Sequence, residues 1–318
     1  MGARYFSIVM PVLNREREIV RALNSCANQS FTDFEICVVD GNSADRTRHE
    51  VEKFATRDKR FRLLVDVDNR GICPARNAGI RSTEGKWVIF LDSDMALLPG
   101  ALAALYSFTR AADTKTGNVI SQIRLDRGGI LPSPDDGAGT VVFDYSGFLR
   151  WTNTLKISEF FNCISREVFT DGLLLPDSRA PEGGFHLDLA RKRQIEFHSV
   201  PSAIYYTDAV NRNTAARDWR QMKRILERNA PDWGIESRRV LREHGAALRS
   251  LASDRHREYL SGLILNALLL GRKIEAIRYW LRYTRAGGRS WKYVSSMVVG
   301  LANSTAFKCL LAKRYAKG

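Results

Sequence analysis

The stretch Trp87-Val-Ile-Phe-Leu-Asp-Ser-Asp94 opens with five consecutive apolar residues and closes on two carboxylates one residue apart. An apolar run this short, rich in β-branched and aromatic side chains, suits a strand covered on both faces better than a helix. Its abrupt polar end puts Asp92, Ser93 and Asp94 on the turn at the carboxyl end of that strand. Two carboxylates so spaced can share one divalent cation. Mg²⁺ and Mn²⁺ are hard ions that prefer oxygen ligands and also accept phosphate oxygens. The same triplet could also serve as a polar turn capping the next helix, so its surroundings have to decide.

Toward the N-terminus, three more short apolar runs read as strands: Phe61 to Val65, Phe34 to Val39, and Tyr5 to Met10, the last ending at Pro11. Between them lie helical patterns. Arg15 to Ala27 has Ile19, Leu23 and Cys26 at helical spacing, Arg46 to Thr56 is polar, and Cys73 to Arg81 tolerates Pro74 in its first turn. This alternation predicts an α/β fold with a mostly parallel sheet flanked by helices. In such sheets ligands bind beyond the carboxyl ends of the strands. The residues found there are Asn14, Asp40, Asn69 and the Asp92–Asp94 triplet.

Toward the C-terminus, Gly128 to Gly139 reads as a loop, and Val141 to Tyr145 and Ile195 to Tyr206 as strands. From about Asn213 the pattern is helical. Trp219, Met222, Ile225 and Leu226 form one apolar stripe. Tyr259 to Leu270 and Ile274 to Leu281 predict a helical hairpin broken at Gly271, with Gly287-Gly288 stopping its second arm. The expected division is a catalytic domain over 1–210 and a helical, basic region over 211–318.

The chain has 318 residues, a formal net charge of +14 and 44% hydrophobic residues, the composition of a folded protein. Arg272 to Gly318 holds eleven Lys or Arg and one acid, Glu275. Trp280, Tyr283, Trp291, Tyr293 and Phe307 are interleaved with them, which suits a peripheral contact with an anionic membrane surface. No nucleic-acid-binding motif accompanies these charges. No leader and no transmembrane run are expected, so the expected location is cytoplasmic, peripheral on the membrane. The five cysteines are odd in number and lack a C-x-x-C pair, so neither a disulfide framework nor a zinc site is expected.

Four segments together resemble glycosyltransferase family two, inverting transferases of the GT-A fold: FSIVMPVLN (Phe6–Asn14), VDGNSADRT (Val39–Thr47), NRGICPARNAG (Asn69–Gly79) and the apolar strand ending in Asp-Ser-Asp. The resemblance is tight over 5–95, looser to about 208, and absent from the C-terminal helices. It implies that a sugar moves from a nucleotide-diphosphate donor, a UDP-sugar by preference, to a hydroxyl of a saccharide or lipid-linked saccharide, with Mn²⁺ or Mg²⁺ as cofactor. It places Pro11, Leu13 and Asn14 in the base pocket, with Leu13 where an aromatic is frequent. Asp40 matches a carboxylate that accepts from base or ribose, followed by Gly41 where many members have a second Asp. Arg76 falls near the nucleotide; a plain charge-balancing pair with Asp40 or Asp92 is its other reading. Asp92 and Ser93 lie at the donor, and Asp92 and Asp94 at the metal, with Asp208 as a possible third metal-side residue.

The acceptor proton needs a general base. Relatives carry it in an E-D-x-D-L-x-x-R-like stretch, matched here by GFHLDLARK (Gly184–Lys192). Aligning Asp188-Leu189 and Lys192 puts His186 at the base position, with Glu182 and Asp188 as the carboxylate alternatives. That departure keeps open a catalytically inactive member that binds a glycan or nucleotide-sugar. A nucleotidyltransferase is disfavoured because Pro11 to Arg17 has no glycine, and a dinucleotide-binding dehydrogenase because no G-x-G-x-x-G follows the first strand.

Overall fold

A computed structural model describes residues 4–132, 139–155, 159–208, 219–289, 299–302 and 304–315. The chain divides into two compact units, Met1–Ser178 with Phe185–Ala209, and Arg179–Gly184 with Val210–Gly318. Residues Arg179–Gly184, inside the first region by sequence order, cluster with the second.

In the first unit, β1 (Phe6–Val12), α1 (Glu18–Ala27), β2 (Phe34–Asp40), α2 (Thr47–Arg57), β3 (Phe61–Val65), α3 (Ile72–Arg81) and β4 (Trp87–Phe90) alternate as the sequence predicts. They are followed by β5 (Met95–Leu97), α4 (Ala101–Ala111), β6 (Thr116–Leu125), β7 (Ile130–Leu131), β8 (Thr140–Phe143), α5 (Tyr145–Thr154), β9 (Phe161–Ser165), α6 (Arg166–Thr170), α7 (Gly183–Lys192) and β10 (Gln194–Tyr205). Among the described residues these strands form one sheet in the order β3-β2-β1-β4-β9-β6-β10-β5, with β7 on β6 and β8 on β10. Strands β1 to β4 run parallel to one another, while β9 runs antiparallel to both β4 and β6. Phe6, Ile8, Val9 and Met10 of β1 have no exposed surface, as a central strand covered on both faces requires.

Four differences from the sequence reading have physical causes. Strand β1 runs through Pro11 because β4 ends at Phe90, so the missing N–H falls where that ladder has stopped. Residues 141–145 are not all strand: β8 stops at Phe143, and Asp144 caps α5 by accepting from the Gly147 N–H at 2.7 Å. Strands β6 and β9 were not expected, because Asn118, Ser121 and Asn162 interrupt their apolar character. In the fold Asn118 Nδ2 donates to Asn162 at 2.9 Å and Ser121 to Ser202 at 2.7 Å, so these two hydrogen bonds run between strands. The loop expected over 128–139 contains β7; residues 133–138 of it lie outside the described residues.

Glycine fixes how closely α3 lies on the sheet. A Cβ on Gly79 would come within 2.4 Å of Val9 Cγ1 and 3.2 Å of Val39 Cγ2. Both neighbours are short, branched and rigid. Gly79→Ala should therefore cost about 2 kcal/mol through overpacking, despite alanine's better helix propensity. A urea midpoint at or above wild type would show that the contact relaxes without cost.

The second unit is helical among its described residues: α8 (Trp219–Glu243), α9 (Gly245–Leu251), α10 (Ser253–Leu269), α11 (Lys273–Arg285) and α12 (Ser304–Tyr315). Gly271 (φ +73°) makes the turn between α10 and α11, and Gly287 (φ +80°) follows the end of α11, both in the left-handed region that glycine enters without strain. Met222, Leu226, Leu260, Leu263, Ile264 and Leu268 pack with Ala276, Tyr279 and Tyr283 of α11 in one core. The expected surface role of the tail aromatics is corrected here. Tyr283 and Phe307 are buried in that core and Trp280 packs against it, while Trp291 and Tyr293 lie outside the described residues. The start of helix near Asn213 and the side chain of Trp219 also lie outside them.

Candidate active site

The loops after β1, β2 and β4 leave the same edge of the sheet, because Val12 pairs with Asp40 and Val9 with Phe90 in parallel register. Asn14, Asn42 and Asn69 take positive φ values of 53°, 65° and 43° in the loops after β1, β2 and β3. Asparagine tolerates this backbone better than any other residue type apart from glycine, since its short amide can bond locally. Asn14 shows how: its Oδ1 accepts from the Ala44 N–H and its N–H donates to Ser43 Oγ, both at 2.8 Å. The β1 and β2 loops are thereby stitched together. Pro11 is half-buried and Leu13 is 40% exposed on the adjoining surface.

Asp40 ends β2 with no exposed surface, a position a carboxylate holds only with partners. Its oxygens accept from the Ser43 N–H at 3.3 and 3.1 Å and from Ser43 Oγ. Arg48 Nε donates to Oδ2 at 2.6 Å, while its Nη2 reaches Asn42 Oδ1 at 2.6 Å. Arg48 stands in the first turn of α2 and was not expected at the site. Gly41 has a local reason as well: a Cβ there would sit 3.1 Å from Asn69 Oδ1, so the Asn69 amide occupies the space a second Asp would need.

Asp92 and Asp94 follow β4, half-buried, with Ser93 buried between them. Of the two carboxylates available to it, Arg76 takes Asp92: Nη2 donates to Oδ1 at 2.8 Å, from a guanidinium 6% exposed and lying 4.8 Å over the Phe90 ring. Next to Arg76, Asn77 exchanges two bonds with the Leu175 backbone, at 2.8 and 3.2 Å, and pins that segment to α3. The Asp92 side chain remains 33% exposed, so its carboxylate reaches solvent. Two such carboxylates form an all-oxygen donor set that suits Mg²⁺ or Mn²⁺.

Strand β5 pairs antiparallel with β10, Met95 opposite Tyr205, and the Tyr206 N–H donates to the Asp94 carbonyl at 3.1 Å. This brings residues 206–208 beside the acidic turn. Asp208 is gripped there by Arg21, whose Nη1 and Nη2 each donate to one carboxylate oxygen at 2.9 Å. Arg21 lies 3.5 Å over the Tyr206 ring, and the Asp208 bond raises its already high pKa. A metal-side role for Asp208 would require that fork to open.

A line of aromatic rings runs from β4 to α7. Phe90 lies 6.3 Å from Phe169, Phe169 stacks on Phe185 at 6.1 Å, and Phe185 meets His186 edge-on at 5.3 Å. His186 and Asp188 are each 8% exposed. Two residues apart on a helix they point about 200° apart, so they serve different faces. Asp188 lies 3.6 Å from Arg191. Glu182, half-buried, precedes α7 and falls in the second unit.

The family model described as Glycosyl transferase family 2 matches residues 7–169. Among curated proteins, the chain is 31% identical over 195 residues to a GalNAc(5)-diNAcBac-PP-undecaprenol beta-1,3-glucosyltransferase of Campylobacter jejuni, covering 61% of this chain and 62% of that one. It is 36% identical over 88 residues to the UDP-Glc:alpha-D-GlcNAc-diphosphoundecaprenol beta-1,3-glucosyltransferase WfgD of Escherichia coli, covering 28% of this chain and 34% of that one. Both matches span less than two thirds of those relatives' lengths. Among solved structures, TarS 1-349 of Staphylococcus aureus with UDP-GlcNAc superposes at a TM-score of 0.57 and 16% identity, over 90% of this chain and 93% of that one. The mannosyltransferase PcManGT of Pyrobaculum calidifontis with GDP-Man and Mn²⁺ superposes at 0.56 and 16%, over 100% of this chain and 88% of that one.

Proposed function

Because the chain belongs to glycosyl transferase family 2, we propose that it transfers a sugar, with inversion, from a UDP-sugar to a hydroxyl of a lipid-linked saccharide or growing polysaccharide on the cytoplasmic side of a membrane. The observation that carries this reading is the carboxylate pair Asp92 and Asp94 on the edge where the Asn14 and Asp40 loops converge, with Arg76 held against Asp92. The curated relatives named above support the acceptor class by their own activities on undecaprenyl-diphosphate saccharides.

In this reading Asp92 and Asp94 would hold Mn²⁺ or Mg²⁺, which would supply positive charge for the departing nucleoside diphosphate. Arg76 stands ready to donate to the donor's phosphate oxygens or base edge. Pro11, Leu13 and Asn14 border the base, Asp40 orients base or ribose through its ordered carboxylate, and Ser93 lies along the donor. A base among His186, Glu182 and Asp188 takes the acceptor proton as the new glycosidic bond forms.

The test is a panel of nucleotide-sugars with an undecaprenyl-diphosphate saccharide acceptor, with and without Mn²⁺. Sugar transfer that EDTA abolishes supports the reading. Donor binding with no transfer or hydrolysis for any donor would leave an inactive binder instead. Asp40 has its own expected signature. Asp40→Asn should raise donor KM about tenfold while kcat stays within about threefold. Asp40→Ala should in addition lower the melting temperature, since it strands Ser43 and Arg48. A large loss of turnover at saturating donor with KM unchanged would contradict the role.

A further inference from the structure

Helix α11 buries Ala276, Tyr279 and Tyr283 in the core of its unit and leaves three aliphatic residues outside it. Ile274, Ile277 and Leu281 are 71%, 39% and 41% exposed. Spacings of three and four place them in one stripe along the helix. Arg278 and Arg285 lie alongside that stripe, four and eleven residues from Ile274, and both are exposed. Neither makes an ion pair among the described residues. The one acid of the helix, Glu275, is already taken by Arg238 and Arg272, each at 3.5 Å. Away from the stripe, on the flank of α11 that meets its neighbours, Arg282 joins Arg238, Arg242, Leu241, Leu263 and Tyr279 in lining a cleft of about 220 Å³.

We propose that this face of α11 docks the chain on a membrane surface containing acidic phospholipid. The aliphatic stripe enters the boundary between headgroups and acyl chains. Arg278 and Arg285, which flank the stripe, pair with lipid phosphates. Amphipathic helices bind interfaces by this combination of apolar insertion and attraction to anionic lipid. Charge argues against a second copy of the chain as the occupant. Two copies paired through this face would set like-charged arginines together over three aliphatic side chains, far short of the ~800 Å² per partner of a stable interface. Nucleic acid would satisfy the arginines and leave the aliphatic stripe in water. No helix among the described residues is long and apolar enough to cross a membrane, so this contact is peripheral. The inference does not depend on the transfer chemistry, and its test measures binding alone.

The experiment is co-sedimentation of the full chain with phosphatidylcholine vesicles, with or without one third phosphatidylglycerol. The protein should pellet with the anionic vesicles, release at about 0.5 M salt, and stay in solution with the neutral ones. The doubles Ile274→Asp/Leu281→Asp and Arg278→Glu/Arg285→Glu should each weaken binding about tenfold or more while melting as wild type does, because all four side chains are exposed. Soluble glycerol phosphate should not compete at millimolar concentration. Equal binding to both vesicles, binding to neither, or wild-type binding by both doubles would overturn the proposal. So would a solution dimer that the Ile274→Asp/Leu281→Asp pair dissolves, or tight binding to single-stranded DNA that survives that pair.

Discussion

Asp94→Asn should lower metal-dependent transfer by about a thousandfold, close to 4 kcal/mol of transition-state stabilisation, while the protein melts as wild type does. The exchange keeps the side chain's shape and removes its charge. The backbone ties of the turn, Tyr206 to the Asp94 carbonyl and Met95 to the Asp92 carbonyl at 2.9 Å, involve no side-chain atom and should persist. In the proposed site the exchange would remove one of two anionic oxygen donors for a hard cation beside the donor's diphosphate. Asp92→Asn should be milder toward the metal but should also release Arg76. Rates and Mn²⁺ dependence at wild-type levels in Asp94→Asn would remove this residue from the metal site.

The second large effect concerns the base. Conservative removal of the right group from His186→Gln, Glu182→Gln and Asp188→Asn should reduce turnover by about 10² to 10⁴-fold with donor affinity preserved. Because His186 and Asp188 are both buried, each variant's melting temperature has to be measured beside its turnover. A variant that loses turnover and keeps its stability and donor affinity identifies the base. The opposite faces of α7 occupied by His186 and Asp188 make it unlike a shared site, so one of the two should fall and the other should not. Near-normal turnover in all three variants would place the base on another element.

What could be read before folding follows from which interactions are local. The four parallel strands and their helices were legible because each is a short apolar run bounded by its own turn residues. The acidic turn was legible because Asp92 and Asp94 sit directly after one of those runs. Arg48 and Arg21 were not: their partners, Asp40 and Asp208, lie eight and 187 residues away, and no spacing rule links them. The basic tail shows a third limit. Composition counted Tyr283 and Phe307 among its surface aromatics, whereas helical phase turns Tyr283 to the side of Tyr279 and into the core. The same phase leaves the less conspicuous Ile274, Ile277 and Leu281 outside.

The cross-strand amide and hydroxyl pairs that concealed β6 and β9 have a consequence for how the chain reaches its fold. Strand β6 joins β9 and β10, segments that follow it by tens of residues, so these contacts form only after long loops have closed. A purely apolar strand covered on both faces could settle one residue out of line at little cost. With Asn118 and Ser121 in it, a one-residue slip turns both side chains to the opposite face, away from Asn162 and Ser202. Each misaligned state then buries a polar group with no partner, which costs about 1–3 kcal/mol apiece. The polar interruptions act as proofreading marks on the register of this part of the sheet.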